Sequence, residues 1–155
     1  MLKNIELENF RNHKHFSLDL DRTTVILGKN GAGKTNILES IAMLSFCRSF
    51  RNEDKKNLIN YETEFARIKG DNLEIFLSRS PRLMMKTKVN GVFKKITEFI
   101  GYSPAVVFSS ETVSIITGSP SERRRFLDIM LSQVDPEYLA SLIDYKKIRQ
   151  QRNSL

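Results

Sequence analysis

Gly28-Lys29-Asn30-Gly31-Ala32-Gly33-Lys34-Thr35 is the stretch on which the reading of this chain turns. The octet fits G-x-x-x-x-G-K-[ST], a phosphate-binding loop, and its flanks are those the motif needs. Ahead of it, Thr23-Thr24-Val25-Ile26-Leu27 is a short β-branched and apolar run that predicts a buried strand. Behind it, Ile37, Leu38, Ile41 and Leu44 recur at helical spacing. Glycines at 28, 31 and 33 are expected to take positive φ and let the backbone approach a ligand. Successive N–H groups then converge on phosphate oxygens at a helix N-terminus. Lys34 is placed to reach the β- and γ-phosphates, and the Thr35 hydroxyl to ligate Mg²⁺. The candidate nucleotide-binding residues are Gly28, Lys29, Asn30, Gly31, Ala32, Gly33, Lys34, Thr35 and Asn36. A glycine-rich turn with a chance Lys-Thr is the plain alternative.

Outward from the loop, Ile5 and Leu7 alternate with Glu6 and Glu8, and Phe16, Leu18 and Leu20 alternate with polar residues. Both read as strands with one buried face. A simple βαβ nucleotide fold carries its phosphate loop after the first strand. Two strands ahead of it therefore suggest an antiparallel sheet beside a parallel one. Residues 45–60 are polar and poorly periodic, which predicts a mobile surface loop. Three more strands are expected near 65–69, 73–77 and 85–89, the last ending in the hairpin signal Asn90-Gly91. Arg67, Lys69, Lys86 and Lys88 fall on the faces opposite the apolar ones. They read either as lysine-rich protection of an exposed sheet or as a surface for a phosphate backbone.

Ile96–Ile100 predicts a short helix or turn, Pro104–Phe108 a buried parallel strand, and Glu111–Ile116 one or two helical turns. Ser119-Pro120-Ser121-Glu122 is a helix start with a capping box and Pro at N1. The helix it opens is expected to bury Phe126, Leu127, Met130, Leu131 and Val134. Arg123, Arg124 and Arg125 crowd its first turn, where the macrodipole disfavours cations. They either grip a phosphate or pair locally, for example Arg124 with Asp128. Asp135-Pro136 opens a second helix with Tyr138, Leu139, Leu142, Tyr145 and Ile148 as its apolar stripe, and no stop signal closes it. That suggests a chain cut inside a helix.

The 155 residues suit one ordinary domain, and 40% hydrophobic with 28% charged residues is a soluble, globular composition. A net charge of +7 favours an acidic partner, which nucleotide and nucleic acid satisfy equally. Cys47 is the only cysteine, so no internal disulfide is possible and a reducing cytoplasm fits. The N-terminus has no apolar signal core and no run is long enough for a membrane helix, so no membrane is expected. A P-loop ATPase also needs an acidic strand, four apolar residues and an Asp, to hold Mg²⁺ and position water. Nothing after residue 35 supplies it. The sequence thus supports nucleotide binding, not hydrolysis by this chain alone, and offers no catalytic residue.

Asn9-Phe10-Arg11-Asn12, the loop through Asn36 with Leu38-Glu39-Ser40-Ile41, Arg48-Ser49-Phe50-Arg51 and Gly118–Asp128 together resemble the RecF family. These are bacterial recombination mediators with an ABC-type ATPase head related to SMC proteins. The segment Arg123-Arg124-Arg125-Phe126-Leu127-Asp128 singles out RecF among such heads. The resemblance implies an α/β P-loop NTPase: an ABC-ATPase-like head with an antiparallel β subdomain and the start of a helical lobe, truncated. Residues 1–118 would be the nucleotide-binding lobe and 119–155 the beginning of the helical lobe. It implies ATP and Mg²⁺ as cofactors, an ATP-dependent homodimer, binding of single-stranded and linear double-stranded DNA and of gap junctions, RecO and RecR as co-workers, and roles in gap repair and the SOS response. By the same resemblance Arg11 and Asn12 touch nucleotide and Asn30 faces the γ-phosphate. The chain departs from the family at Cys47, where Gly is usual, and at Ser109-Ser110-Glu111-Thr112, where a Pro-Glu-Asp stretch is usual. Another SMC-like head such as an ATP-dependent nuclease, a small-molecule kinase, and an inert fragment are the competing readings.

Overall fold

The computed structural model describes residues 1–51, 54–109 and 118–154. Its frame is one antiparallel sheet in the order β2-β1-β3-β4-β5-β6. The strands are β1 (Asn4–Phe10), β2 (His13–Asp19), β3 (Phe65–Gly70), β4 (Leu73–Ser78), β5 (Met84–Val89) and β6 (Val92–Lys94). Alternation sets the inner face: Ala66 and Ile68 of β3 and Leu73, Ile75 and Leu77 of β4 are buried, with their neighbours half-exposed. In β1 the left-handed Asn9, at φ 53°, breaks the alternation, so Phe10 joins Ile5 and Leu7 in the core. The phosphate-loop helix α1 (Lys34–Phe46) covers that face with Ile37, Met43 and Leu44, while the short α2 (Ile96–Phe99) adds Phe99. Gly70 permits the close approach of the helix: a Cβ there would lie 2.7 Å from Leu44 Cδ1.

All five expected antiparallel strands form, and β6, which is fully exposed, is an additional one closing the Asn90-Gly91 hairpin. The two expected parallel strands do not form. Residues 24–29 and 104–109 are irregular, with Val25 74%, Leu27 87%, Val106 67% and Phe108 87% exposed. A parallel strand is buried only between flanking strands and under helices. Among the described residues no strand pairs with either segment.

The polar 45–60 stretch is tied down rather than loose where it is described. Ser45, Cys47, Leu58 and Ile59 are buried, a 3₁₀ turn spans Lys55–Leu58, and Arg11 N–H donates to the Leu58 carbonyl at 3.0 Å. Two late helices follow, α3 (Pro120–Val134) and α4 (Pro136–Asn153). Both starts match their signals: Glu122 accepts from Ser119 N–H at 2.7 Å, and Asp135 accepts from the N–H groups of Glu137 and Tyr138.

The face buried by α3 differs from expectation. Leu127, Leu131 and Val134 are exposed, Phe126 and Met130 half-buried, and the buried residues are Ser132 and Gln133. Gln133 Oε1 accepts from Ser45 Oγ and from Ala105 N–H, which turns the polar face inward. On α4 only Leu139 is buried, and Tyr145 and Ile148 face outward. Glu111–Ile116 lies outside the described residues. No helix among the described residues is long and apolar enough to cross a membrane.

Candidate phosphate-binding site

The octet forms a closed turn running into α1. Gly31 and Gly33 take φ 82° and 94°, whereas Gly28 has no positive φ, contrary to its expected role. Gly33 is the N-terminal cap of α1 and is required sterically as well as conformationally. A Cβ there would sit 2.6 Å from Asn12 Oδ1 and collide with the His13 ring. Among the described residues, nothing accepts from the N–H groups of Gly31, Gly33, Lys34 or Thr35. These are the orphan donors of a helix start, collected in a left-handed nest that favours an anion. Lys34 Nζ folds back over the loop, donating to the carbonyls of Gly28 and Lys29 at 2.6 and 2.8 Å. The Lys34 ammonium and these unaccepted amides thus lie within one short turn. Lys29, Asn30, Ala32 and Thr35 are exposed around it.

The turn between β1 and β2 braces this loop from below. Asn12 Nδ2 donates to the Gly31 carbonyl at 3.2 Å, Asn36 Nδ2 donates to Asn12 Oδ1 at 2.8 Å, and His13 Nε2 lies 3.2 Å from the Gly33 carbonyl. Arg11 takes a left-handed backbone at φ 54°, and its side chain is only 10% exposed. Its guanidinium grips Glu39 in a bidentate pair, Nε to Oε2 at 2.9 Å and Nη2 to Oε1 at 2.7 Å. The structure thus brings Asn12 and Asn36 to the loop and sets Arg11 on the helix beneath it.

Glu39 is the site residue that motif reading missed. It is fully buried and also accepts from Ser49 Oγ, while Arg51 Nη1 lies 3.6 Å away and donates to Asn36 Oδ1 at 3.1 Å. One carboxylate therefore ties α1, the β1–β2 turn and the 48–51 segment together. A signal existed: Glu39 is the only acid of α1, with no cation at i±3 or i±4. A buried, hydrogen-bonded charge held by two arginines is the arrangement such a position demands.

The proposed basic surfaces divide. On the outer face of the sheet, Arg67 pairs with Glu8 at 3.1 Å and Glu74 at 3.4 Å, Lys69 with Glu6 at 3.9 Å, and Lys88 with Glu74 at 3.5 Å. Lys86 has no carboxylate within ion-pair distance among the described residues. On α3, Arg123 and Arg124 are exposed and Arg125 is half-buried. Arg124 does not pair with Asp128, which instead accepts from Tyr138 Oη at 2.7 Å and lies 3.5 Å from Lys146. Arg125 lies beside Arg48, whose guanidinium is held below its ordinary pKa first by burial and then by that like charge.

Among the described residues no cluster of His, Cys, Asp or Glu could hold a metal ion. The Thr35 residue is exposed at the loop. Cys47 closes α1 in a left-handed conformation, φ 53°, and burial pushes its thiol up to about 12.

The AAA ATPase domain family model matches residues 1–151. The DNA replication and repair protein RecF of Leptospira interrogans is 42% identical over 99% of the chain, and that of Enterococcus faecalis 40% identical over 98%. The chain spans 45% and 42% of those two proteins. Among solved structures, the recombination mediator protein RecF with ATPrS superimposes with a TM-score of 0.89 at 35% identity, covering 100% of this chain and 44% of that one. The RecF–ATP structure gives 0.88 at 34%, covering 99% and 45%. An SMC ATPase structure gives 0.64 at 20% identity, covering 83% of this chain and 98% of that one, and shares the fold.

Proposed function

This chain belongs to the AAA ATPase domain family, and on that premise we propose that it is the nucleotide-binding part of a RecF-like, ATP-gated DNA-binding protein of recombinational repair and replication. What supports the reading is the loop itself: four amides without acceptors and the Lys34 ammonium lie together at the start of α1. In this reading residues 1–118 belong to the nucleotide lobe and 119–155 to a helical lobe. Gly31, Gly33, Lys34 and Thr35 hold the phosphates, with Lys29, Asn30, Ala32 and Asn36 lining the loop. Lys34 would trade its two carbonyl partners for phosphate oxygens, and the Thr35 hydroxyl would be the residue to hold Mg²⁺. Asn12 fixes the loop's height, and Arg11 acts on it through Glu39. When bound, ATP with Mg²⁺ would supply negative charge and a metal ion at this loop.

The logic is a switch. Nucleotide contacts present only in a closed homodimer shift the equilibrium towards that pair, and DNA favouring the same state is coupled to ATP. Exposed Arg123 and Arg124 with half-buried Arg125, and Lys86 and Lys88 on the sheet, are the DNA-facing cations. Arg67 and Lys69 join them by trading their glutamates for phosphates. Work beside RecO- and RecR-type mediators in the cytoplasm, at gaps and in the SOS response, follows from the same reading. The test is DNA affinity with and without ATP, at stated salt. The proposal expects ATP to tighten binding at least tenfold, and equal affinities would remove the switch.

A further inference from the structure

The β5–β6 hairpin carries a patch with a chemistry of its own. Phe93 on the edge strand is 63% exposed and Val92 60% exposed. An apolar ring so placed is ordinarily unremarkable, but its surroundings are not apolar. Lys88 pairs with Phe93 across the ladder, and its ammonium lies 5.0 Å from the ring centroid. The Lys86 ammonium lies 5.8 Å from the same centroid. Lys95, two residues on, is exposed as well, whereas Lys94 pairs with buried Thr87 and so stands on the opposite face of the ladder. Residues 84–98 thus hold four lysines against one acid, Glu98. Among the described residues, Lys88 shares Glu74 with Arg67, and Lys86, Lys94 and Lys95 have no carboxylate within ion-pair distance.

We propose that this hairpin is a platform for single-stranded nucleic acid, with a base stacked on Phe93 and the flanking phosphates held by Lys86, Lys88 and Lys95. The inference deepens the DNA-binding reading above and rests on it. The argument is complementarity. A ring flanked by ammonium groups matches a ligand that alternates flat π faces with negative charges. Lysines alone would serve a duplex equally well, because its phosphates are outermost. Phe93 adds what only an unpaired base can use, since bases inside a duplex already stack on one another. An apolar protein partner would have to strip several ammonium groups of water without replacing their counter-charge.

The chain contains no tryptophan, so Phe93→Trp installs a single indole reporter at the platform. Oligothymidylate of about a dozen nucleotides, within the site sizes usual for such surfaces, is titrated in the presence of ATP. The proposal expects the indole to be quenched by oligothymidylate and not by an abasic oligonucleotide of equal length. Phe93→Ala should weaken oligothymidylate binding by about 5- to 150-fold, the range of one base stacked on an aromatic ring. Its affinity for abasic strand and for duplex should change less than twofold. Lys86→Gln should lower the slope of log affinity against log salt by about 0.7, one phosphate's worth. Residue 93 is exposed, so circular dichroism of each variant should match the parent. An unquenched indole at saturation, or a Phe93→Ala variant binding oligothymidylate like the parent, overturns the platform and leaves the general DNA reading standing. A parent protein that takes up no DNA in either nucleotide state overturns both.

Discussion

Glu39→Gln is the substitution whose cost the structure determines most closely. The carboxylate has no exposure, and the Arg11 guanidinium that grips it is 10% exposed, at 2.7 and 2.9 Å. Gln keeps the shape and removes the charge, so a buried guanidinium loses its bidentate carboxylate. A solvated pair would contribute about 0–1 kcal/mol. Breaking a buried one costs about 3–5 kcal/mol, because the remaining cation stays desolvated. Burial decides between them here, and the larger figure is a sizeable part of the ~5–15 kcal/mol that holds a domain together. In urea, with a slope near ~2 kcal/mol/M, the midpoint should fall by about 1.5–2.5 M. On heating, Tm should fall by about 6–20 °C. Arg11→Met with Glu39→Met should recover part of the loss, since the desolvated Arg11 cation goes with its partner and only the more exposed Arg51 loses a carboxylate. A Glu39→Gln variant within about 1 kcal/mol of the parent would refute the view that this carboxylate clamps the β1–β2 turn to α1.

Gly33→Ala should abolish nucleotide binding while secondary structure persists: its Cβ meets Asn12 Oδ1 at 2.6 Å and φ is 94°. Calorimetric titration with ATP checks this, and measurable binding would count against the nest. Asp135→Ala should cost about 1 kcal/mol by removing the acceptor for two N–H groups at the start of α4, read from the urea midpoint. The Cys47 thiol should resist alkylation in the folded protein and react at once in denaturant. Its folded pKa is raised from 9.0 to about 12 by burial, so above pH 9 the unfolded chain releases a proton that the folded chain keeps. Stability should therefore fall as pH rises from 9 towards 12, and Cys47→Ala should remove that part of the slope.

Local alternation was enough for the sheet. Ile5 and Leu7, Ala66 and Ile68, and Leu73, Ile75 and Leu77 each repeat at two residues, and each of those strands formed. The tight turn into α1 was legible because Gly31 and Gly33 take the positive φ it needs, although Gly28 does not. What depended on distant partners was not legible. Val25-Ile26-Leu27 and Val106-Val107-Phe108 have strand composition, yet among the described residues they have no strand beside them. On α3 the apolar period was real, but Gln133 satisfies Ser45 and the Ala105 amide from far along the chain, and that link set which side faces in. Leu58 and Ile59 sit in a polar neighbourhood, so composition marked them as loop although Arg11 and Asn60 anchor them. Glu39 was visible only as an acid without a helical neighbour of opposite charge. Its arginines come from the turn before the loop and from the segment after α1.

The most direct measurement is ATP titration of the protein beside Lys34→Met, by calorimetry in the presence of Mg²⁺. Lys34 Nζ makes two hydrogen bonds to loop carbonyls and packs over an exposed turn, so the substitution should leave the fold intact. Saturable binding by the parent, and at least a hundredfold loss in the variant with an unchanged circular dichroism spectrum, is the predicted result. Equal affinity in the two proteins, or no binding by the parent, would contradict the assignment of this loop as the phosphate site.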